Sequence, residues 1–272
     1  MLRQTRMALA RMILAVLLIP PAFAQVGTLV DLGTHKLNIV CAGAADARPV
    51  VILEAGGGGS SGDWKGVQAA LPAAIRTCAY DRAGSGKSDP GPEPRTMDAE
   101  VKDLHTLLER FKITGPIILV GHSLGAMLAR LYVLKYPDSV AGVILVDPTE
   151  EDDIVFNTRV NRWIKVRELE DSLGDGARSL ARARETDPVP LGDRPLIVIG
   201  AGKRTLPPGT STEQWLEMRT SRDSHVKELS KLSRNSKFIL DPLSGHNIEP
   251  RTIEEAIQEL VDKLTTGRKL RQ

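Results

Sequence analysis

Ser123 stands between two glycines in Gly121-His122-Ser123-Leu124-Gly125. A β-branched run, Ile117-Ile118-Leu119-Val120, precedes it, and apolar residues at helical spacing (Leu124, Met127, Leu128, Leu131, Leu134) follow. A serine on such a strand-to-helix turn can be held in a strained conformation with its Oγ exposed. The outer glycines leave room for neighbouring elements that a larger side chain would strike. The chemistry this suggests is nucleophilic attack on a carbonyl, and a serine hydroxyl needs a base for it. His246, in Ser244-Gly245-His246-Asn247, is the candidate among five histidines. It follows the last strand pattern, which places it at the carboxyl edge of the sheet with Ser123. His122 fixes the turn or lines the pocket, while His35, His105 and His225 carry no expected role.

A third group should orient the imidazole and stabilise its protonated form. Asp147 ends the run Val143-Ile144-Leu145-Val146 at the correct edge and is the favoured acid. Asp241, Glu150 and Glu151 are the runners-up, and a loop cap ahead of Pro148 is the structural alternative for Asp147. The segment from Ala201 to Thr212 after the next strand holds no acid. Two backbone N–H groups should meet the developing oxyanion. Leu124 supplies one; Gly57, with Gly58 second, supplies the other from the glycine-rich loop Glu54-Ala55-Gly56-Gly57-Gly58-Gly59.

The elements that position these residues alternate, which predicts an α/β fold with a mostly parallel sheet and helices on both faces. Strands are expected at 28–32, 36–41, 50–54, 75–80, 116–120, 142–147, 195–200 and 236–241, the first two as a hairpin. Helices are expected at 64–71, 97–111, 124–136, 212–232 and 252–266. Residues 148–194 are too long for a simple crossover and read as a helical lid. Its helices are expected near 161–173 and 177–185, broken at Gly174-Asp175-Gly176. The core is then 25–147 together with 195–272.

Residues 1–24 read as a secretory signal. Arg3, Arg6 and Arg11 precede the apolar run Met12–Ile19, and Ala22-Phe23-Ala24 suits cleavage after Ala24. An uncleaved anchor is the alternative; the run is short for a span. Cleavage removes three arginines and turns a formal net charge of +2 into −1. No basic patch then supports nucleic-acid binding, the mature chain has no membrane span, and a secreted or periplasmic location follows. In an oxidising compartment Cys41 and Cys78 could pair if their Cα atoms lie within about 7 Å; two buried thiols are the alternative. Gly84-Ser85-Gly86-Lys87-Ser88 imitates a phosphate-binding loop, but Asp81 stands where its leading glycine belongs and Asp89-Pro90-Gly91-Pro92 bars the helix. The histidines and cysteines lack metal-ligand spacing, so no metal and no cofactor is expected.

Taken together, the chain resembles the α/β-hydrolase superfamily over nearly all of its length beyond the signal. The resemblance rests on Leu53-Glu54-Ala55-Gly56, on Tyr80-Asp81-Arg82-Ala83-Gly84-Ser85-Gly86-Lys87-Ser88, on the Ser123 turn, on the strand ending at Asp147 and on Gly245-His246. The order Ser, Asp, His agrees with this fold. The resemblance implies an eight-stranded sheet with a lid after the sixth strand, and a serine hydrolase acting on small or medium carboxylic esters through an acyl-enzyme. The chain departs from the commonest pattern in one respect: most relatives carry the acid after the seventh strand, whereas the candidate here follows the sixth; in the oxyanion loop it has Leu53-Glu54-Ala55-Gly56 where many relatives have a His-Gly pair. Serine at 123 excludes the epoxide hydrolases and haloalkane dehalogenases of the fold, which use aspartate there. Within the enzyme class the rival is an aminopeptidase of the proline-iminopeptidase type, using lid carboxylates among Glu150, Glu151, Asp152 and Asp153. A cofactor-free haloperoxidase side activity is conceivable for the same triad. Outside the class, the rival is a non-catalytic binding protein that uses the pocket. In each case the partner is a small molecule.

Overall fold

The computed structural model of the chain describes residues 26–149, 166–206 and 209–270. The predicted signal, 1–24, lies outside them. Eight strands form one sheet: β1 Thr28–Asp31, β2 Lys36–Ala42, β3 Val51–Glu54, β4 Thr77–Tyr80, β5 Ile117–His122, β6 Val140–Val146, β7 Leu196–Ala201 and β8 Ser236–Asp241. Their spatial order is β1-β2-β4-β3-β5-β6-β7-β8. The β1–β2 hairpin and the β2–β4 pair are antiparallel, and every later pairing is parallel. The expected hairpin and mostly parallel sheet are both present.

The helices are α1 Lys65–Ala70, α2 Met97–Arg110, α3 Leu124–Lys135, α4 Val166–Thr186, α5 Thr212–Glu228 and α6 Pro250–Thr266. The central strands are apolar on both faces because helices cover both. Along β5, Ile117 and Leu119 join the core shared with α2, α3 and α4, while Ile118 and Val120 join the core shared with α1 and α6. β6 and β7 divide in the same period-two way. Burial of these runs from water is the main force holding the strand ends, and hence the loops above them, in place.

Cys41 and Cys78 face each other across β2 and β4, and they are joined in a disulfide with Cα atoms 4.1 Å apart. The alternative of two free thiols is thereby set aside.

One expected feature is corrected. Gly174-Asp175-Gly176 is not a break, because α4 runs through it from Val166 to Thr186. The glycine at 176 serves packing instead of turning. A Cβ there would lie 2.4 Å from the Met97 sulfur, so its absence lets α4 press onto α2. Ala177 and Leu180 of α4, and Leu191 beyond it, are buried in the core shared with α2 and α3. This part of the predicted lid segment therefore belongs to the helical layer. Residues 150–165, including the start of the first expected lid helix, lie outside the described residues.

Candidate active site

The turn at the end of β5 holds Ser123 at φ 52° and ψ −118°, a conformation that a non-glycine residue adopts only under constraint. The constraint comes from both sides. The Ser123 N–H donates to the Val146 carbonyl of β6 at 3.0 Å. A Cβ on Gly121 would lie 2.3 Å from the Gly125 carbonyl, and one on Gly125 would lie 2.5 Å from the carbonyls of Glu54 and Ala55. Only glycine at both positions lets α3 start this close to β3 and β5.

His246 is brought to Ser123 by the loop between β8 and α6. Asp241, the last residue of β8, builds that loop. Its carboxylate accepts from the Ser244 and Thr252 hydroxyls, both at 2.7 Å, and from the Leu243 and Ser244 N–H groups. Asp241, a runner-up for the acid, thus shapes the loop that carries His246. His122 adds a second hold: its Nε2–H donates to the His246 carbonyl at 2.8 Å. Burial pushes the His122 imidazole below its ordinary value, which keeps it a neutral donor.

The three favoured side chains meet. His246 Nδ1–H donates to Asp147 Oδ2 at 2.6 Å, and the Ser123 hydroxyl donates to His246 Nε2 at 3.0 Å. The tautomer follows from the partners, since a carboxylate against Nδ1 leaves Nε2 to accept. Asp147 is fully buried, at 0% exposure, and lies at φ 34° just beyond β6. Its Oδ1 accepts from the Ala201 N–H at 3.2 Å and from Arg204 at 2.9 Å, while Arg222 lies 3.7 Å from Oδ2. Burial alone would push this carboxyl up. The His246 hydrogen bond and the charges of Arg204 and Arg222 outweigh it and hold the group at about 2.

Opposite the histidine, the glycine-rich loop is pinned from below. Arg82 donates to the Ala55 carbonyl at 2.6 Å and to the Gly56 carbonyl, and it pairs with Glu54 and, at 3.0 Å, with Glu100. The Tyr80 hydroxyl also donates to Glu54. Asp81 accepts from the Ser61 N–H at 2.6 Å and the Lys87 N–H at 2.9 Å. The imitation of a phosphate loop at Gly84–Ser88 is thus a turn wrapped around Asp81; a Cβ on Gly86 would lie 2.4 Å from that carboxylate. The upper loop brings Gly57 beside Leu124: a Cβ on Gly57 would sit 3.6 Å from the Leu124 side chain.

Ser123, His246 and Gly57 open onto a cavity of about 540 Å³ whose walls include Trp64, Ile248 and Ile253. Among the described residues no cluster of His, Cys, Asp and Glu side chains could hold a metal ion, and no helix is long and apolar enough to cross a membrane. His35 bonds Asp103 at 3.1 Å and His105 stacks on Tyr136, so both have structural partners. Glu150, Glu151, Asp152 and Asp153 lie outside the described residues.

Sequence reasoning missed three neighbours of this site. Arg204 and Arg222 reach Asp147 from the β7–α5 loop and from α5, and no local pattern announces them. Thr149 places its hydroxyl 3.3 Å from Ser123 Oγ, and its N–H donates to the Ser123 carbonyl at 3.1 Å. Its one signal was proximity in sequence to Asp147. Arg82 was on view within the Tyr80–Ser88 motif, but its hold on the loop was not.

The family described as alpha/beta hydrolase fold matches residues 49–192. The chain belongs to this family, and its fold and site together define an α/β hydrolase. It is 32% identical over 217 residues to the uncharacterized protein YqjL of Bacillus subtilis, a match covering 77% of this chain and 82% of that one. It is 38% identical over 106 residues to the human (lyso)-N-acylphosphatidylethanolamine lipase, covering 38% of this chain and 31% of the lipase. Among solved structures, a thermophilic esterase from Thermogutta terrifontis superposes with a TM-score of 0.60 at 20% identity, covering 88% of this chain and 98% of the esterase.

Proposed function

We propose that this chain is a serine hydrolase that cleaves small or medium carboxylic esters through an acyl-enzyme. The observation that carries this reading is the unbroken relay from Ser123 Oγ to His246 Nε2, and from His246 Nδ1 to Asp147 Oδ2, at 3.0 and 2.6 Å. Ser123 attacks the ester carbonyl while His246 takes its proton. Asp147 stabilises the imidazolium that forms. The N–H groups of Leu124 and Gly57 receive the negative charge on the carbonyl oxygen; a donor of this kind is worth roughly 10²–10³-fold in turnover. His246 then returns its proton to the departing alcohol, leaving Ser123 acylated. A water activated by His246 releases the acid and restores the serine.

The apolar wall of Trp64, Ile248 and Ile253 suits an uncharged acyl or alcohol group. That the human relative is a lipase and the Thermogutta neighbour an esterase supports ester cleavage. Export of the chain, with cleavage after Ala24, belongs to the same proposal, and the Cys41–Cys78 disulfide supports an oxidising compartment. N-terminal sequencing of the protein recovered outside the cytoplasm tests it; a chain starting at Met1 refutes cleavage.

The test of function is a panel of p-nitrophenyl esters and amino-acid anilides, with a fluorophosphonate probe alongside. Wild type labels and cleaves esters faster than anilides. Ser123→Ala retains the fold and loses both labelling and turnover. Ester cleavage by that variant at the wild-type rate refutes the nucleophile. Preference for anilides with a free amino group moves the reading to the aminopeptidase, and a wild type that never labels moves it to a binding protein.

A further inference from the structure

Asp147 has two carboxylate oxygens and they face different partners. Oδ2 meets His246, whereas Oδ1 is taken by the Ala201 N–H and by Arg204 at 2.9 Å. Arg204 is itself braced, since its Nε donates to Asp223 at 3.1 Å and its side chain is only 11% exposed. Asp223 in turn faces Arg219 at 3.5 Å. The loop after β7, in which the sequence offers no acid, thus sends a cation to the acid carried by β6. Asp147 also sits at φ 34°, a backbone conformation that persists only where its surroundings hold it.

We propose that Arg204 is a positioning residue for the hydrolytic relay: it fixes Asp147 with Oδ2 toward His246 and shares that carboxylate's charge, so that its loss slows the chemistry and shifts the pH dependence of activity. This rests on the serine-hydrolase reading above. The two parts have separate signatures. As an anchor on Oδ1, Arg204 limits rotation of the carboxylate away from the imidazole, so its loss slows chemistry more than it weakens substrate binding. As a cation beside Asp147, it competes with the imidazolium for the same negative charge. Removing it leaves the carboxylate's full field on His246, favours the protonated imidazole, and moves the acidic limb of activity to higher pH. The other charged and titratable groups facing this relay are Arg222 of α5, at 3.7 Å from Oδ2, and His122 at the end of β5, with Asp63 near His122; Asp223 and Arg219 of α5 act through Arg204. Arg222 remains in the variants below, so the shift is partial.

The experiment follows the rate of Ser123 labelling by a fluorophosphonate between pH 4.5 and 9, together with kcat and KM on the best p-nitrophenyl ester. Wild type, Arg204→Met and Arg204→Lys are compared, with Ser123→Ala as the blank and circular dichroism as the check on folding. Arg204→Met is expected to label at least tenfold more slowly at pH 8, with kcat reduced far more than KM changes, and with its acidic midpoint raised by about 0.5–1 pH unit. Arg204→Lys retains the charge within the site and is the variant expected to fold in any case. Its midpoint stays within about 0.2 units of wild type, while its rate falls between the other two because an ammonium cannot bond Asp147 and Asp223 through one rigid fork. An unmoved or lowered midpoint in Arg204→Met overturns the inference. So does an Arg204→Lys protein whose midpoint rises or whose labelling rate equals that of wild type. A wild type that does not label at all overturns the serine-hydrolase reading itself, and the two failures are thereby told apart.

Discussion

Replacing Asp147 by asparagine removes one charge from between an imidazole and two guanidinium groups while changing the side chain's size very little. The carboxyl ionises at about 2 instead of near its ordinary 3.8. At about 1.4 kcal/mol per pH unit, that difference makes the ionised form worth about 2 kcal/mol to the folded state. Because the folded value is the lower one, this stability is fully present above about pH 5 and is lost as pH falls through 4 toward 2. Asparagine mimics the protonated acid at every pH. The variant is therefore expected to be about 2 kcal/mol less stable than wild type at pH 7, with about half of that gap closed by pH 3. Urea unfolding followed by far-ultraviolet circular dichroism at pH 7, 5, 4 and 3 measures it. A gap of equal size at pH 3 and pH 7, or no gap at pH 7, refutes the electrostatic account of Asp147. Activity changes for a separate reason. The amide NH₂ can donate to Nδ1, which turns the imidazole so that Nε2 carries the proton and cannot accept one from Ser123. Turnover should fall by roughly 10³–10⁴-fold, and ester cleavage within tenfold of wild type at pH 8 refutes the relay.

Other expectations concern the scaffold. Gly125→Ala puts a methyl group 2.5 Å from the Glu54 and Ala55 carbonyls, so α3 must move; fluorophosphonate labelling of the soluble protein is expected to drop at least a hundredfold, and unchanged labelling refutes the steric account of the turn. Arg82→Leu leaves Glu54 buried without its cation and is expected to cost about 3–5 kcal/mol in urea unfolding; a loss under 1 kcal/mol shows the pair to be dispensable. Cys41 and Cys78 lie 37 residues apart, so replacing both by serine is expected to cost about 3–4 kcal/mol from the loop the disulfide closes. Equal urea midpoints for wild type and the double variant, both under oxidising conditions, contradict that.

The parts of the site legible in the sequence were those fixed by local necessity. Gly121 and Gly125 could be read because a strand-to-helix turn of this kind packs closely: a side chain at Gly121 would strike Gly125 of the turn itself, and one at Gly125 would strike the Glu54 and Ala55 carbonyls at the end of the neighbouring strand. His246 and Asp147 could be read because a polar residue directly after a buried strand falls at the sheet's carboxyl edge. The Gly174–Gly176 segment was misread for an instructive reason. A glycine that turns the chain and a glycine that lets two helices touch look identical in one dimension, and only the approach of Met97 decides between them. Arg204, Arg222 and Arg82 were beyond local reading altogether. Their partners lie 57, 75 and 28 residues away in the chain, and nothing near an arginine states which carboxylate it will meet.

Two of the residues in the relay, Ser123 and Asp147, have positive φ angles that most side chains avoid. Such conformations cost on the order of 1–3 kcal/mol each and persist only where the surroundings over-determine them. The surroundings here supply that hold from separate directions. Ser123 is gripped by backbone, through the Val146 carbonyl and the two glycines. Asp147 is gripped by its own N–H, which donates to the Ile199 carbonyl at 2.7 Å, and by the Ala201 N–H and Arg204 on its side chain. Apart from Arg204 and Gly125 of α3, these contacts come from a strand, or a strand end, of the parallel sheet. The sheet therefore does more than carry the loops. Its regular spacing turns a serine and a carboxylate on neighbouring strands into a pair with fixed separation, and the histidine has only to be delivered between them by the loop that Asp241 shapes. A relay held this way by the sheet keeps its geometry when the pocket walls of Trp64, Ile248 and Ile253 vary, so those walls can change what the cavity admits while the relay stays in place.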